Sequence, residues 1–302
     1  MSGQLPFTVV SENEVSRRTL QPDGLAGFEE ISKANGVRQH PGTPPRATVA
    51  RKAVGHYRDI IGRDDRVPFY TLNHPYFHIG TLNSGKKWST ATAISERHIV
   101  CAYHGISLDF RGHIERSYFS PCSNNLPNQI KNPFGRYRVS KAYFVGAPNR
   151  SDDSLNYNGI DFAILELERP LAMEISFGFP GLFKFDRRAT GQPLWLHVGY
   201  PNDYAVPIIQ NPVTVTGASF VFFRDVSGIS IPGYILFSDV DGKEGQSGGP
   251  IFQLFDDGFG QFTINMVGVL SYGNGTRTGF AGFADTFFAL WDAVQRDSSV
   301  IT

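Results

Sequence analysis

Asp241-Gly242-Lys243-Glu244-Gly245-Gln246-Ser247-Gly248-Gly249-Pro250 decides how the rest of the chain is read. It seats a serine among glycines, one placed two residues before it and two directly after. Glycine has no Cβ, takes φ > 0 without strain and lets a ligand carbonyl approach the backbone closely. A serine on such a turn can present Oγ outward. The backbone N–H groups of Gly245 and Ser247 then converge beside it, in the geometry of an oxyanion hole.

Gly245-Gln246-Ser247-Gly248-Gly249 also fits the G-x-S-x-G turn of α/β-hydrolases, whose triad runs Ser, acid, His along the chain. The last histidine here is His197, upstream of Ser247, so that order is excluded. The order His, Asp, Ser needs a histidine and an aspartate upstream at strand ends. His104 follows the β-prone run His98-Ile99-Val100-Cys101-Ala102 and precedes Gly105. Asp161 opens the apolar run Phe162-Ala163-Ile164-Leu165, where a carboxylate is costly unless a partner such as an imidazole N–H meets it. A serine hydroxyl needs a base to take its proton, and the base needs a third group to fix its tautomer. His104, Asp161 and Ser247 supply the three. His40, His56, His74, His78, His98, His113 and His197 are read as structural.

The remainder of the chain suits a β-rich scaffold. Its 302 residues leave room for two packed barrels and an extension. Gly 32, Phe 25 and Tyr 12, with short β-prone runs between turn residues, favour an all-β body. Lys+Arg and Asp+Glu are both 28, which gives no pull toward nucleic acid or membrane. Two cysteines, Cys101 and Cys122, allow one disulfide and no stapled scaffold. The first residues lack a signal-peptide pattern and no apolar run is long enough to span a bilayer. That leaves a cytoplasmic protein or one whose export signal is missing from this sequence.

Residues 1–58 are set apart as a leader or pro-segment, with a short helix expected near Leu25–Ala34, a linker at Pro41-Gly42-Thr43-Pro44-Pro45 and no alternating strand pattern. The alternative is an arm that stays packed on the body. Residues 59–180 are expected to form a barrel carrying His104 and Asp161, and residues 181–302 a second barrel carrying Ser247 and a specificity pocket. Strands are expected at Thr90–Ile94, His98–Ala102, Val139–Val145, Gly159–Leu167, Leu194–Val198, Val213–Thr216, Phe220–Phe223, Tyr234–Phe237 and Phe262–Val269. A terminal helix capped by Asp285 carries the stripe Phe287, Leu290, Trp291, Val294.

Together, Ala102-Tyr103-His104, Asp161-Phe162-Ala163-Ile164-Leu165 and Gly245-Gln246-Ser247-Gly248-Gly249-Pro250 resemble the chymotrypsin/trypsin superfamily of serine proteases. Ile61–Val67, Val139–Val145 with Asn156-Tyr157, and Gly199-Tyr200-Pro201 resemble its bacterial glutamyl endopeptidase branch more narrowly. The resemblance covers residue 60 to the end. It implies two six-stranded antiparallel β-barrels with the site between them, a precursor that loses a leader, a His104–Asp161–Ser247 triad and Gly245 as the oxyanion glycine. It also implies an edge strand, Ser271-Tyr272-Gly273, for substrate backbone, with Ser271 supporting Asp161.

The chain departs from the pattern at Gly105, Leu270 and Gln246. Gly105 stands where trypsin-like enzymes carry a half-cystine. Leu270 stands where glutamyl endopeptidases carry a pocket histidine, and leucine cannot donate to a carboxylate. Asp241 lies where trypsins keep the carboxylate that receives Lys or Arg, with Gly242 and Gly273 leaving space and Glu244 near the rim. The pocket is therefore expected to take a basic side chain ahead of an aromatic or aliphatic one. The alternative is that Asp241 is a structural turn residue, as an aspartate here also occurs in the glutamyl branch. Gln246 replaces the aspartate that pairs with a new amine in trypsin zymogens. Processing near Arg58-Asp59-Ile60 would therefore unblock the cleft or free an amine near the pocket.

The expected function is serine endopeptidase, acting on protein or peptide substrates. The alternatives are a catalytically silent binding module on the same fold, or an intracellular protease switched by a partner at the N-terminal segment. No spacing suggests zinc, Asp152 and Asp153 read as solvated loop acids rather than a calcium site, and no cofactor is called for.

Overall fold

The computed structural model describes residues 5–20, 60–61, 63–126, 131–146, 157–204, 206–224, 228–256, 262–274 and 276–299. The helix expected near residues 25–34, the linker at 41–45 and the acids at 152 and 153 lie outside these.

The chain begins with strands β1 (Leu5–Ser11) and β2 (Val15–Leu20), an antiparallel hairpin, followed later by the short β3 (Val67–Pro68). Next come β4 (Ile79–Ser84), β5 (Lys87–Ala93), β6 (His98–Cys101), β7 (Ser117–Pro121), β8 (Tyr137–Val145) and β9 (Ala163–Leu167). These six close a ring in the order β8-β7-β4-β5-β6-β9, with β9 pairing back onto β8. Its interior is filled by Leu82, Ile99, Phe119, Tyr137, Val139 and Leu165, all buried. Alternation of inward apolar and outward residues along each strand is what a closed sheet requires.

The hairpin corrects the expectation that residues 1–58 hold no strand. β1 adds to the free side of β8, from Phe7 opposite Val145 to Ser11 opposite Lys141, and buries Phe7, Val9 and Val10. A strand whose partner lies so far along the chain gains its stability from that partner, not from a local pattern.

The second half supplies β10 (Gly181–Leu182), β11 (Trp195–Gly199), β12 (Ile208–Val213), β13 (Val215–Arg224), β14 (Ser230–Ser238), β15 (Pro250–Asp256), β16 (Phe262–Asn274) and β17 (Arg277–Gly282). The pairing runs β12-β11-β15-β16-β17-β14-β13. β12, flanked on its far side by β3, and β13 are separated only by Thr214, so the chain turns directly from one end of this run to the other. Asp239 holds that corner, accepting from the Thr214 amide at 2.9 Å. The two runs expected at 213–216 and 220–223 are thus one long strand entered from β12. Trp195, Leu236, Ile251, Val267 and Phe280 fill this interior.

Helix α1 (Asp285–Ser299) closes the chain. Its first carbonyl acceptor is Ala284, which takes the amides of Phe287 and Phe288, so Asp285 is the first helical residue instead of the cap. Phe287, Leu290 and Val294 are buried in a cluster between the two barrels that includes Phe162, Val198, Phe252 and Phe283. Against β8 and β9, Tyr143 Oη lies 2.9 Å from Glu166 and 2.8 Å from Asp297 of the helix, with Lys141 Nζ 3.3 and 3.4 Å from the same two carboxylates. No helix among the described residues is long and apolar enough to cross a membrane.

Candidate active site

His104 stands on a one-turn 3-10 helix, Tyr103–Gly105, that begins as β6 ends. Asp161 follows a second such turn, Tyr157–Ile160, and precedes β9, so the strand expected from Gly159 starts only at Ala163. Both residues leave neighbouring strands at the same end of the first barrel, which brings them together. Asp161 Oδ2 lies 2.6 Å from His104 Nδ1 and Asp161 Oδ1 accepts the His104 amide at 2.9 Å.

The carboxylate is buried, at 1% exposure, and two further groups donate to it: Ser271 Oγ at 2.6 Å and Tyr157 Oη at 3.3 Å. A buried carboxylate met by four donors is held in one orientation. It fixes the imidazole with Nδ1–H toward Asp161 and Nε2 free. Burial works against a proton on His104, but the charge and hydrogen bond of Asp161 outweigh it, and the imidazole is held above its usual 6.5. Its side chain is 41% exposed, open to the cleft.

Ser247 arrives from the second barrel. Gly245 has φ +94° and Gly248 φ +82°, a left-handed pair that only glycine adopts freely. At Gly248 there is also no room, since a methyl would sit 2.7 Å from the Ala102 nitrogen and 3.1 Å from Cys101 Cα. The serine turn therefore presses main chain to main chain on the residues just before His104. Thr90 of β5 fastens it further, its amide to the Ser247 carbonyl and its Oγ1 to the Gly245 carbonyl, each at 2.8 Å. Among the described residues no backbone acceptor takes the Gly245 or Ser247 amide, while those of their neighbours Gln246, Gly248 and Gly249 are all taken. Ser247 Oγ and the imidazole are not hydrogen-bonded to each other; such bonds tighten when substrate enters.

A cavity of about 150 Å³ opens beside Ser247, lined by Gly242, Lys243, Glu244, Leu270, Tyr272 and Gly273. Glu244 is tied to Asn202 Nδ2 at 2.9 Å. Ser271 points the other way, to Asp161.

The fold has a solved counterpart. A Glu endopeptidase in complex with MPD superimposes with a TM-score of 0.57 at 18% identity, over 78% of this chain and 99% of that one. The fold is chymotrypsin-like. The protease Anisep from Arthrobacter nicotinovorans aligns over 73% of this chain and 96% of its own, at 15% identity and a TM-score of 0.49. No family model and no curated protein sequence matches the chain.

Within the chymotrypsin-like fold the expectation for Asp241 has to be corrected. Its carboxylate does not line the cavity. It is buried and accepts the amides of Ile61 at 2.6 Å and Asp65 at 3.3 Å, because β3 pairs with β12 and lays the preceding residues alongside. Gln210 completes the cluster, taking the Asp241 amide at 3.0 Å and donating to Asp65. Arg66 anchors the same segment, bonded to Asp64 and Asp203 with its side chain fully buried. Gln246 is buried, with Nε2 3.2 Å from His197 Nε2. Both cysteines are free and buried, and burial pushes the Cys122 thiol up to about 12. Among the described residues no cluster of three or more His, Cys, Asp or Glu side chains forms a metal site.

Tyr157 and Thr90 are the site residues that sequence reasoning left unassigned. Tyr157 lies four residues before Asp161, a spacing that one 3-10 turn converts into contact. Thr90 sits in an ordinary β-prone run, and nothing local marks it.

Proposed function

We propose that the protein is a serine endopeptidase that cleaves peptide bonds through an acyl-enzyme. His104 Nε2 takes the Ser247 proton as Oγ attacks the scissile carbonyl, and later returns it to the leaving amine. Asp161 keeps the imidazole in the productive tautomer and balances the imidazolium that forms. The amides of Gly245 and Ser247 stabilise the oxyanion. The observation that carries this reading is the 2.6 Å bond between Asp161 Oδ2 and His104 Nδ1, with the serine turn packed on residues 101 and 102.

The cavity would hold the side chain on the acyl side of the cut. A Lys/Arg preference rested on Asp241, whose carboxylate is engaged by Ile61 and Asp65. Lys243 on the cavity wall favours a second reading, an acidic side chain, in keeping with the Glu endopeptidase of the structural comparison.

The test is labelling by a fluorophosphonate probe together with cleavage of fluorogenic peptides bearing Glu, Arg or Phe. Labelling and cleavage that vanish in Ser247→Ala support the enzyme. A folded wild-type protein that takes no label is instead a silent binding module. Arg as the best substrate would reject the second reading.

A further inference from the structure

The turn that carries His104 is closed inside by two bonds, Gly105 N–H to the Ala102 carbonyl at 3.1 Å and Ile106 N–H to the Tyr103 carbonyl at 2.9 Å. A turn this short leaves its later carbonyls without helical donors. Here those of His104 and Ile106 converge on one cation: Lys87 Nζ lies 2.7 Å from each. A lysine at the C-terminal end of a helical turn commonly serves such carbonyls. Lys87 opens β5, and three residues later on the same strand Thr90 bonds the carbonyls of Ser247 and Gly245. One strand of the first barrel thus grips the main chain of the histidine turn at one point and that of the serine turn at the next. Gly105 lies against the same strand, a methyl there falling 2.8 Å from Ser89 Oγ.

We propose that Lys87 is a positioning residue for His104, fixing the histidine turn to the strand that also holds the serine turn. The proposal rests on the serine endopeptidase reading. Without the two carbonyl bonds the turn keeps its fold but gains freedom to drift relative to Ser247, and small misplacements of a base cost rate far more than they cost binding. The ammonium also acts through space. The charged and titratable groups facing the imidazole are Asp161, which favours its proton, and Lys87, which disfavours it, with Tyr157 and Ser271 acting through Asp161.

The experiment compares wild type, Lys87→Met and Lys87→Arg as full chains, on whichever fluorogenic peptide wild type cleaves, from about pH 5 to 9. The Met variant is expected to lose about tenfold in kcat with KM little changed, and its acid limb to move up, because the charge that disfavours the imidazole proton is gone. The Arg variant, which keeps the charge and can reach both carbonyls, restores both. Thermal melts accompany each, so that a Met variant losing activity only in step with its Tm, unrescued by Arg, overturns the proposal. So does a Met variant with wild-type kcat and an unmoved limb. An inactive, unlabelled wild type refutes the serine endopeptidase reading, and the role of Lys87 falls with it. An active wild type with an indifferent Met variant removes Lys87 alone.

Discussion

The amide of Ile61 donates to Asp241 Oδ1 at 2.6 Å, joining residues 180 positions apart one step before the cavity-lining Gly242. The carboxylate that would have read a basic substrate side chain is instead a buried acceptor for the chain's own backbone.

Burial raises the Asp241 carboxyl from 3.8 to about 6; the amides of Ile61 and Asp65 pull it down, and the charges of Asp65 and Asp64 push it up. The folded protein thus binds this proton more tightly than the unfolded chain. The stabilisation is full below about 4 and is lost as pH rises through about 6. Asp241→Asn keeps an acceptor for Ile61 and cannot titrate. The Tm difference between wild type and Asp241→Asn should favour wild type more at pH 4 than at pH 7, with the change falling inside that window. A constant difference would contradict the burial argument.

The donors on Asp161 rank by distance. Ser271 Oγ at 2.6 Å should matter more than Tyr157 Oη at 3.3 Å. A hydrogen bond to a charged group is worth about 1.5–3 kcal/mol. Ser271→Ala is therefore expected to lower kcat/KM by about tenfold or more, and Tyr157→Phe by less. Steady-state kinetics on one peptide measure both, and the reverse ranking would count against a carboxylate oriented chiefly by Ser271.

The proposed reaction needs a neutral imidazole. With His104 held above 6.5 by Asp161, against the opposing effect of burial, kcat/KM should fall as pH drops through a value higher than that of a free histidine. In stability the sign runs the other way. The protonated pair contributes fully below 6.5, and that contribution is lost as pH rises through the folded value. Asp161→Asn should lower the kinetic limb. A pH–rate profile reads it, and an unmoved limb would mean that Asp161 does not set it.

The link between α1 and the first barrel is polar. One phenol proton on Tyr143 faces two carboxylates, Glu166 and Asp297, and Lys141 supplies the balance. Tyr143→Phe removes the phenol from both carboxylates, in a half-buried setting. A loss of about 1–3 kcal/mol in urea unfolding is expected, with no change in fluorophosphonate labelling at low temperature.

What the sequence made legible was local. His104, Asp161 and Ser247 each carry a nearby mark, namely a strand end, a carboxylate before an apolar run and a glycine-framed serine. The structure sets His104 and Asp161 in contact and packs the serine turn beside them. What stayed hidden depends on partners far along the chain. Pro6 and the brief run Phe7–Val10 carry no obvious strand pattern of their own until β8 is there to pair with them. The direction of the Asp241 carboxylate follows from residues 61 and 65, and position alone pointed the other way. Thr90 and Lys87 act on carbonyls of other segments, and neither residue type in a strand announces such a task.

Two glycine contacts give the cleft a fixed gauge. Gly248 lies on Cys101 and Ala102, and Gly159 lies on Gly233, where a methyl would come within 2.7 Å of the Gly159 carbonyl carbon. At both stops the peptide planes of one half meet those of the other with no side chain between them. The spacing across the groove is thus set by covalent dimensions, which do not vary with core composition. Repacking either interior should make the molecule weaker or stronger while leaving the width of that groove unaltered.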